Sequence, residues 1–159
     1  FALLQSALHS VFVWKNSSKM KRDLRYTPSD CYETFPFPVT FSSKLETFGR
    51  SYDTLRREIM LCNQIGLTKL YNAFHNPDTH DDKIEELRQL QKQIDEAVRD
   101  SYGWNDISLD HDFHAVAYLP ENDNIRYTIS ESARIEILRR LAILNKQRWQ
   151  EEQEAENEK

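Results

Sequence analysis

The run from Arg22 to Pro38, reading RDLRYTPSDCYETFPFP, constrains this chain most, because it holds three of the five prolines. Each proline fixes its own backbone angle and bars the residue before it from helix, so the chain must leave regular structure here. Tyr26, Tyr32, Phe35 and Phe37 also give the run large apolar surfaces, which a freely swinging linker does not need. The run reads as an irregular strap pinned along a packed surface, with different kinds of structure before and after it.

A chain of 159 residues can bury one good core, or a small core and part of another. With only three glycines and 30% charged residues, helices are favoured over a sandwich or barrel, which needs many glycine-rich turns. The expected fold class is mainly α, a C-terminal helical bundle over residues 39–159 behind a short N-terminal α/β piece over residues 1–38. No apolar run reaches membrane-spanning length, so no membrane partner is expected. The opening Phe1-Ala2-Leu3-Leu4 has no initiator methionine, basic region or small-residue cleavage site, and the expectation is a parent chain cut upstream. Cys31 and Cys62 fit neither a disulfide framework nor a zinc site and are expected to be buried, reduced thiols of a cytoplasmic protein.

Read in order, Ala2 to about Lys15 is a short helix running toward a strand, because its apolar spacing turns continuous and β-branched at Val11-Phe12-Val13. Asn16-Ser17-Ser18 reads as a turn, and Lys19 to Tyr26 as a strand or exposed hairpin arm. After the strap, Ser42 or Ser43 caps a helix to about Ile65, with Glu46 completing a capping box and Gly66 as a left-handed stop. Its stripe is Leu45, Phe48, Tyr52, Leu55, Ile59 and Cys62. A short helix through Leu67, Leu70 and Phe74 ends at Asn76-Pro77. A third, through Ile84, Leu87, Leu90, Ile94 and Val98, ends near Tyr102-Gly103, after which Trp104 folds back. Phe113 to Leu119 and Ile125 to Ile129 read as extended. Ser130 begins a last helix that offers Ile135, Leu138, Leu141, Ala142, Ile143 and Trp149 for burial before a fraying glutamate-rich tail.

The net charge of −5 argues against a wholly basic nucleic-acid binder, but the charges are unevenly placed. Lys15, Lys19, Lys21, Arg22 and Arg25 crowd one end and five glutamates the other. Among those cations, Asn16, Ser17 and Ser18 can donate to phosphate, while Lys and Arg supply charge. Lys21 and Asp23, two apart on an extended arm, point the same way. Lysine donates to guanine O6 or N7 and aspartate accepts from cytosine N4, so this pair can address both edges of one G·C pair. The plainer alternative is a solvated charged turn.

Other candidates are weaker. Pro77-Asp78 with Asp81-Asp82-Lys83 matches the order of a magnesium nuclease motif but not its spacing, and acids there cap a helix. His75, His80, His111 and His114 with Asp106, Asp110 and Asp112 have metal-ligand composition but no second helix-borne pair. Solitary glycines exclude a phosphate-cradling loop.

The run His9, Trp14, Ser17-Ser18, Met20 and Leu24-Arg25-Tyr26-Thr27-Pro28 through Phe35-Pro36-Phe37-Pro38 closely resembles the end of the target-recognition domain of adenine-specific DNA methyltransferases, including single-chain type II restriction-modification enzymes. Gly66 to Asn72, Ile84 to Trp104 and Arg126-Tyr127-Thr128 with the last helix resemble the helical region that closes those proteins. The resemblance implies a parent that transfers a methyl group from S-adenosylmethionine to adenine in double-stranded DNA, sometimes with a nuclease attached. It also implies that Lys21 and Asp23 occupy base-reading positions, and that this part of the parent partners an upstream methyltransferase domain. The Asn-Pro-Pro-Tyr type motif and cofactor glycines are absent, the one Asn-Pro being Asn76-Pro77 before Asp78, so no catalytic residue, metal or cofactor is assigned to this chain. The rival reading is a helical protein-interaction module without DNA binding.

Overall fold

The computed structural model describes residues 1–20 and 23–157. The chain as far as Arg25 forms α1 (Ala2–Gln5), α2 (Ala7–Asn16) and an antiparallel hairpin of β1 (Ser18–Met20) and β2 (Asp23–Arg25), so the first part of the expected irregular strap is a strand. The strap contains a single helical turn, α3 (Pro28–Cys31), with proline at its first position, where the missing N–H costs nothing. Four further helices follow: α4 (Ser43–Cys62), α5 (Leu67–His75), α6 (Asp82–Ser101) and α7 (Glu131–Asn157). Between α6 and α7 lies a second antiparallel hairpin, β3 (Asp112–Ala115) and β4 (Ile125–Thr128), in which Phe113 faces Tyr127 and His114 faces Arg126. The architecture is mainly α, as the glycine-poor, helix-periodic sequence requires. Among the described residues no helix is long and apolar enough to cross a membrane.

The centre is the packing of α4 on α6, where Tyr52, Leu55 and Ile59 meet Leu87, Ile94 and Val98. Leu8 and Phe12 of α2, Phe35 of the strap and Ile137 and Leu141 of α7 join the same apolar cluster. α1 crosses α4 closely at Gly49, where a Cβ would stand 2.8 Å from that of Ala2. A residue larger than glycine would therefore push the N-terminal segment off the bundle.

Helix ends follow local chemistry in most places. Asp81 caps α6 by accepting from the backbone N–H groups of Lys83 and Ile84, and Ser130 accepts from Ala133 N–H at the head of α7. Gly103, at φ 72°, takes the left-handed position after α6. Trp104 then folds back onto Tyr102, with ring centroids 4.4 Å apart.

Five expectations need correction. α2 stays helical through Asn16, since burial of Val11, Phe12 and Val13 outweighs the strand tendency of two β-branched residues and an aromatic one. α4 is capped by Ser42, so Glu46 falls one position too late for a capping box and pairs with Arg50 at 2.7 Å instead. That helix ends at Cys62, and the left-handed residue is Gln64 (φ 50°), while Gly66 is extended and begins α5. Cys62 is exposed, whereas Cys31 is buried. α7 buries Ala133, Ile137 and Leu141, leaving Ile135, Ile143 and Trp149 exposed, and it continues as helix through Asn157.

Candidate nucleic-acid interface

Helix α2 delivers the chain to the basic hairpin. Ser6 caps it by accepting from His9 N–H, and its last turn closes through Asn16 Nδ2 to Phe12 O (2.9 Å) and Ser17 N to Val13 O (2.8 Å). The chain then turns directly into β1, which pairs Ser18 with Arg25, Lys19 with Leu24 and Met20 with Asp23. The expected extended arm is therefore a hairpin, held at its base by a packed helix.

Of the candidate phosphate ligands, Lys15 and Arg25 are exposed at the foot of the hairpin. Asn16 is exposed too, although its amide nitrogen serves the helix end. Ser17 is buried, and its hydroxyl has no partner among the described residues. Lys21 and Arg22 lie outside the described residues, as do the side chains of Ser18, Lys19 and Asp23.

The strap braces the same region. Phe35 is buried and meets both His9 and Phe12 edge-on, with centroids 4.7 and 5.1 Å apart. His9 Nε2 lies 3.3 Å from the Tyr26 hydroxyl, just past the end of β2. Burial lowers the His9 pKa to about 4, so the imidazole beside this basic segment is neutral near pH 7. From the other side, Tyr102 Oη donates to Pro36 O (2.9 Å) and Arg148 Nη2 to Phe37 O (2.6 Å). Between α2, the strap and α7 runs a groove of about 720 Å³, lined by Lys15, Asn16, Lys146 and Trp149 as well as Glu33 and Glu152.

Two polar groups lie inside the bundle. Arg88 is fully buried and donates to the carbonyls of Ala73, Phe74, Asn76 and Thr79, and it pairs with Glu85. It thereby satisfies the carbonyl end of α5, while the Phe113 and Tyr127 rings cover its guanidinium. Asp95, also fully buried, accepts from Ala7 N–H (2.7 Å) and Gln91 Nε2 (3.1 Å) through Oδ1 and from His111 Nε2 (2.8 Å) through Oδ2. Sequence reading passed over both groups. The signal was present, because Arg88, Gln91 and Asp95 share the helical period of Ile84, Leu87, Ile94 and Val98 and so stand at core positions of α6.

The other histidines and aspartates are dispersed. His114 Nε2 meets Asp110 O, Asp106 pairs with Arg140, and His75 Nδ1 accepts from Tyr127 N–H. Asp81 is committed to its cap, while Lys83 pairs with Glu58. Among the described residues no three His, Cys, Asp or Glu side chains gather as a metal site.

Residues 1–39 match the target recognition domain of MmeI. The matched segment runs from α1 to the end of the strap and so contains every candidate DNA-contacting residue. The match covers the N-terminal helices, the hairpin and the strap, and it stops before α4. No curated protein and no solved structure matches the chain.

Proposed function

We propose that the chain is the DNA-reading end and C-terminal helical region of an S-adenosylmethionine-dependent, adenine-N6-specific DNA methyltransferase of a restriction-modification system. The observation that carries this reading is the coincidence of the target recognition match with a basic hairpin standing at the end of a buried helix. A two-stranded ribbon fits the major groove of B-DNA, where the base edges differ most. Lys21 and Asp23 are the base-reading pair. Lys15, Asn16, Ser18, Lys19, Arg22 and Arg25 are assigned to the phosphates on either side, and Ser17, being buried, is withdrawn from that set. Residues 39–159 then form a helical support for a reading element that residues 1–38 complete. Methyl transfer, S-adenosylmethionine and the target adenine belong to an upstream methyltransferase domain of a cytoplasmic parent, because this chain lacks an Asn-Pro-Pro-Tyr type motif.

The test is duplex binding by the chain across a salt series. Phosphate contacts make the logarithm of affinity fall with the logarithm of salt, with a slope of about −0.9 per phosphate neutralised. A slope of about −3 or steeper, reduced by about 1 in Lys15→Ala, is the expected result. Absence of any duplex affinity at low salt would leave a protein-interaction module as the better account.

A further inference from the structure

α2, which carries the reading hairpin, is joined to the bundle by directional contacts centred on Asp95. Asp95 lies midway along α6, and its Oδ1 accepts the backbone N–H of Ala7 at 2.7 Å, across 88 residues of sequence. Ala7 is the first residue of α2, so the bond occupies a helix-start N–H that has no partner within its own helix. Gln91 Nε2 reaches both Asp95 Oδ1 and Gln5 O (3.3 Å), tying the α1–α2 joint to the same point. His111, from the loop before β3, fills the remaining carboxyl oxygen.

We propose that Asp95 is a positioning residue which sets the direction of α2 and thereby aims the β1–β2 hairpin. The inference rests on the DNA-reading function proposed above. Leu8, Val11 and Phe12 hold α2 in the core, but apolar burial is non-directional and does not define the register of the helix along its own axis. The Asp95 bond does. α2 has ten residues and is therefore about 15 Å long, so a tilt of about 10° at Ala7 displaces its far end by about 2.6 Å. Recognition constellations tolerate about 0.5 Å. A small loss of definition at Ala7 is thus magnified at the hairpin, where β1 starts two residues after α2 ends.

Two variants separate aiming from general support. Replacing Ala7 by its ester analogue, lactic acid, removes only the N–H that Asp95 accepts: the backbone amide becomes an ester, no atom is added toward Asp95, and the extended Ser6 link (φ −67°, ψ 153°) is kept. Asp95→Asn keeps an oxygen toward Ala7 and turns its amide group toward His111. Residual dipolar couplings of the chain give the angle between α2 and α6 without DNA, and selection from a randomised duplex library gives the preferred site.

The expected result is that the Ala7 ester, folded, changes the α2 angle by about 10° or more and lowers discrimination against one-base variants at least about five-fold. Asp95→Asn should keep the angle and the preferred site. Unchanged angle and selection in the Ala7 ester overturns the proposal, as does an unfolded Ala7 ester or an equal loss in both variants, since each makes the contact a general prop. A wild-type chain that selects no duplex removes the DNA reading instead, and the angle measurement still decides the coupling.

Discussion

Arg148, in the second half of α7, donates from Nη2 to the carbonyl oxygen of Phe37 at 2.6 Å, so the last helix grips the strap 111 residues earlier. Tyr102 completes the grip through Pro36 O. A proline at 36 or 38 supplies no N–H for a ladder, so this backbone is held through its carbonyls.

Loss of either grip should loosen the strap measurably. Arg148→Ala removes a hydrogen bond from a charged donor and is expected to cost about 1.5–3 kcal/mol, whereas Tyr102→Phe removes a neutral one and should cost about 0.5–1.5 kcal/mol. Urea unfolding gives both values. A larger loss in Tyr102→Phe than in Arg148→Ala would reverse the assignment of the stronger contact.

Arg88 is the polar group whose removal should cost most. Alanine there takes the side-chain donor from the carbonyls of Ala73, Phe74, Asn76 and Thr79; Ala73 O and Asn76 O keep the backbone N–H groups of Asn76 and Thr79, and about 1–3 kcal/mol is expected for each of Phe74 O and Thr79 O left unsatisfied. Lysine has the charge but not the forked donor set, so Arg88→Lys should recover less than half of the loss. Equilibrium denaturation of the two variants checks this.

Acid should weaken the fold through two imidazoles. His9 and His75 both have pKa values lowered to about 4, His9 by burial and His75 by burial and then by the Arg126 and Arg88 guanidinium groups. The unfolded chain, with imidazoles at the ordinary 6.5, takes up protons that the fold refuses between those values. Stability is therefore full above about pH 6.5 and declines as pH falls toward 4. Protonation of His75 also removes the acceptor used by Tyr127 N–H. His9→Gln and His75→Gln should each reduce the difference between urea midpoints at about pH 7.5 and about pH 5.

The face of α7 can be read from a pair of isoleucines. Ile137 is fully buried and Ile135 is 55% exposed. Ile137→Ala should cost about 2–5 kcal/mol and Ile135→Ala less than about 0.5 kcal/mol. Equal losses would mean that α7 sits in another rotation.

The proposed base-reading role of Lys21 and Asp23 predicts a change in specificity. Lys21→Glu with Asp23→Arg exchanges acceptor and donor, so a protein carrying this chain should prefer C·G where it preferred G·C, by about 1–3 kcal/mol. Lys15→Ala or Arg25→Ala should instead weaken all sequences alike. Selection from a randomised duplex library by the chain distinguishes them. Uniform loss of affinity with an unchanged preferred site would return Lys21 and Asp23 to the status of a charged turn.

What the sequence by itself determined was local. The stripes Leu45–Ile59 and Ile84–Val98, the Asp81 and Ser130 caps, the Gly103 stop and the proline break depend on residues within four positions of one another, and each was legible. Tertiary structure decided what local pattern leaves open. α7 carries Ile135, Ile137, Leu138, Leu141, Ala142 and Ile143, apolar on more than one side, so its period does not choose a face. Packing against α2 does. Gly66 offered a left-handed stop, yet Gln64 took that conformation because the path from α4 into α5 required the turn two residues sooner. The contacts that organise the candidate interface, Asp95 with Ala7 and Arg148 with Phe37, join residues 88 and 111 positions apart. A helical period shows that Asp95 faces the core, but not that the start of another helix waits there. Only the closing of α6 over α2 brings the free N–H and the carboxyl together, and a buried polar group at a core position is stable only where such a partner is supplied.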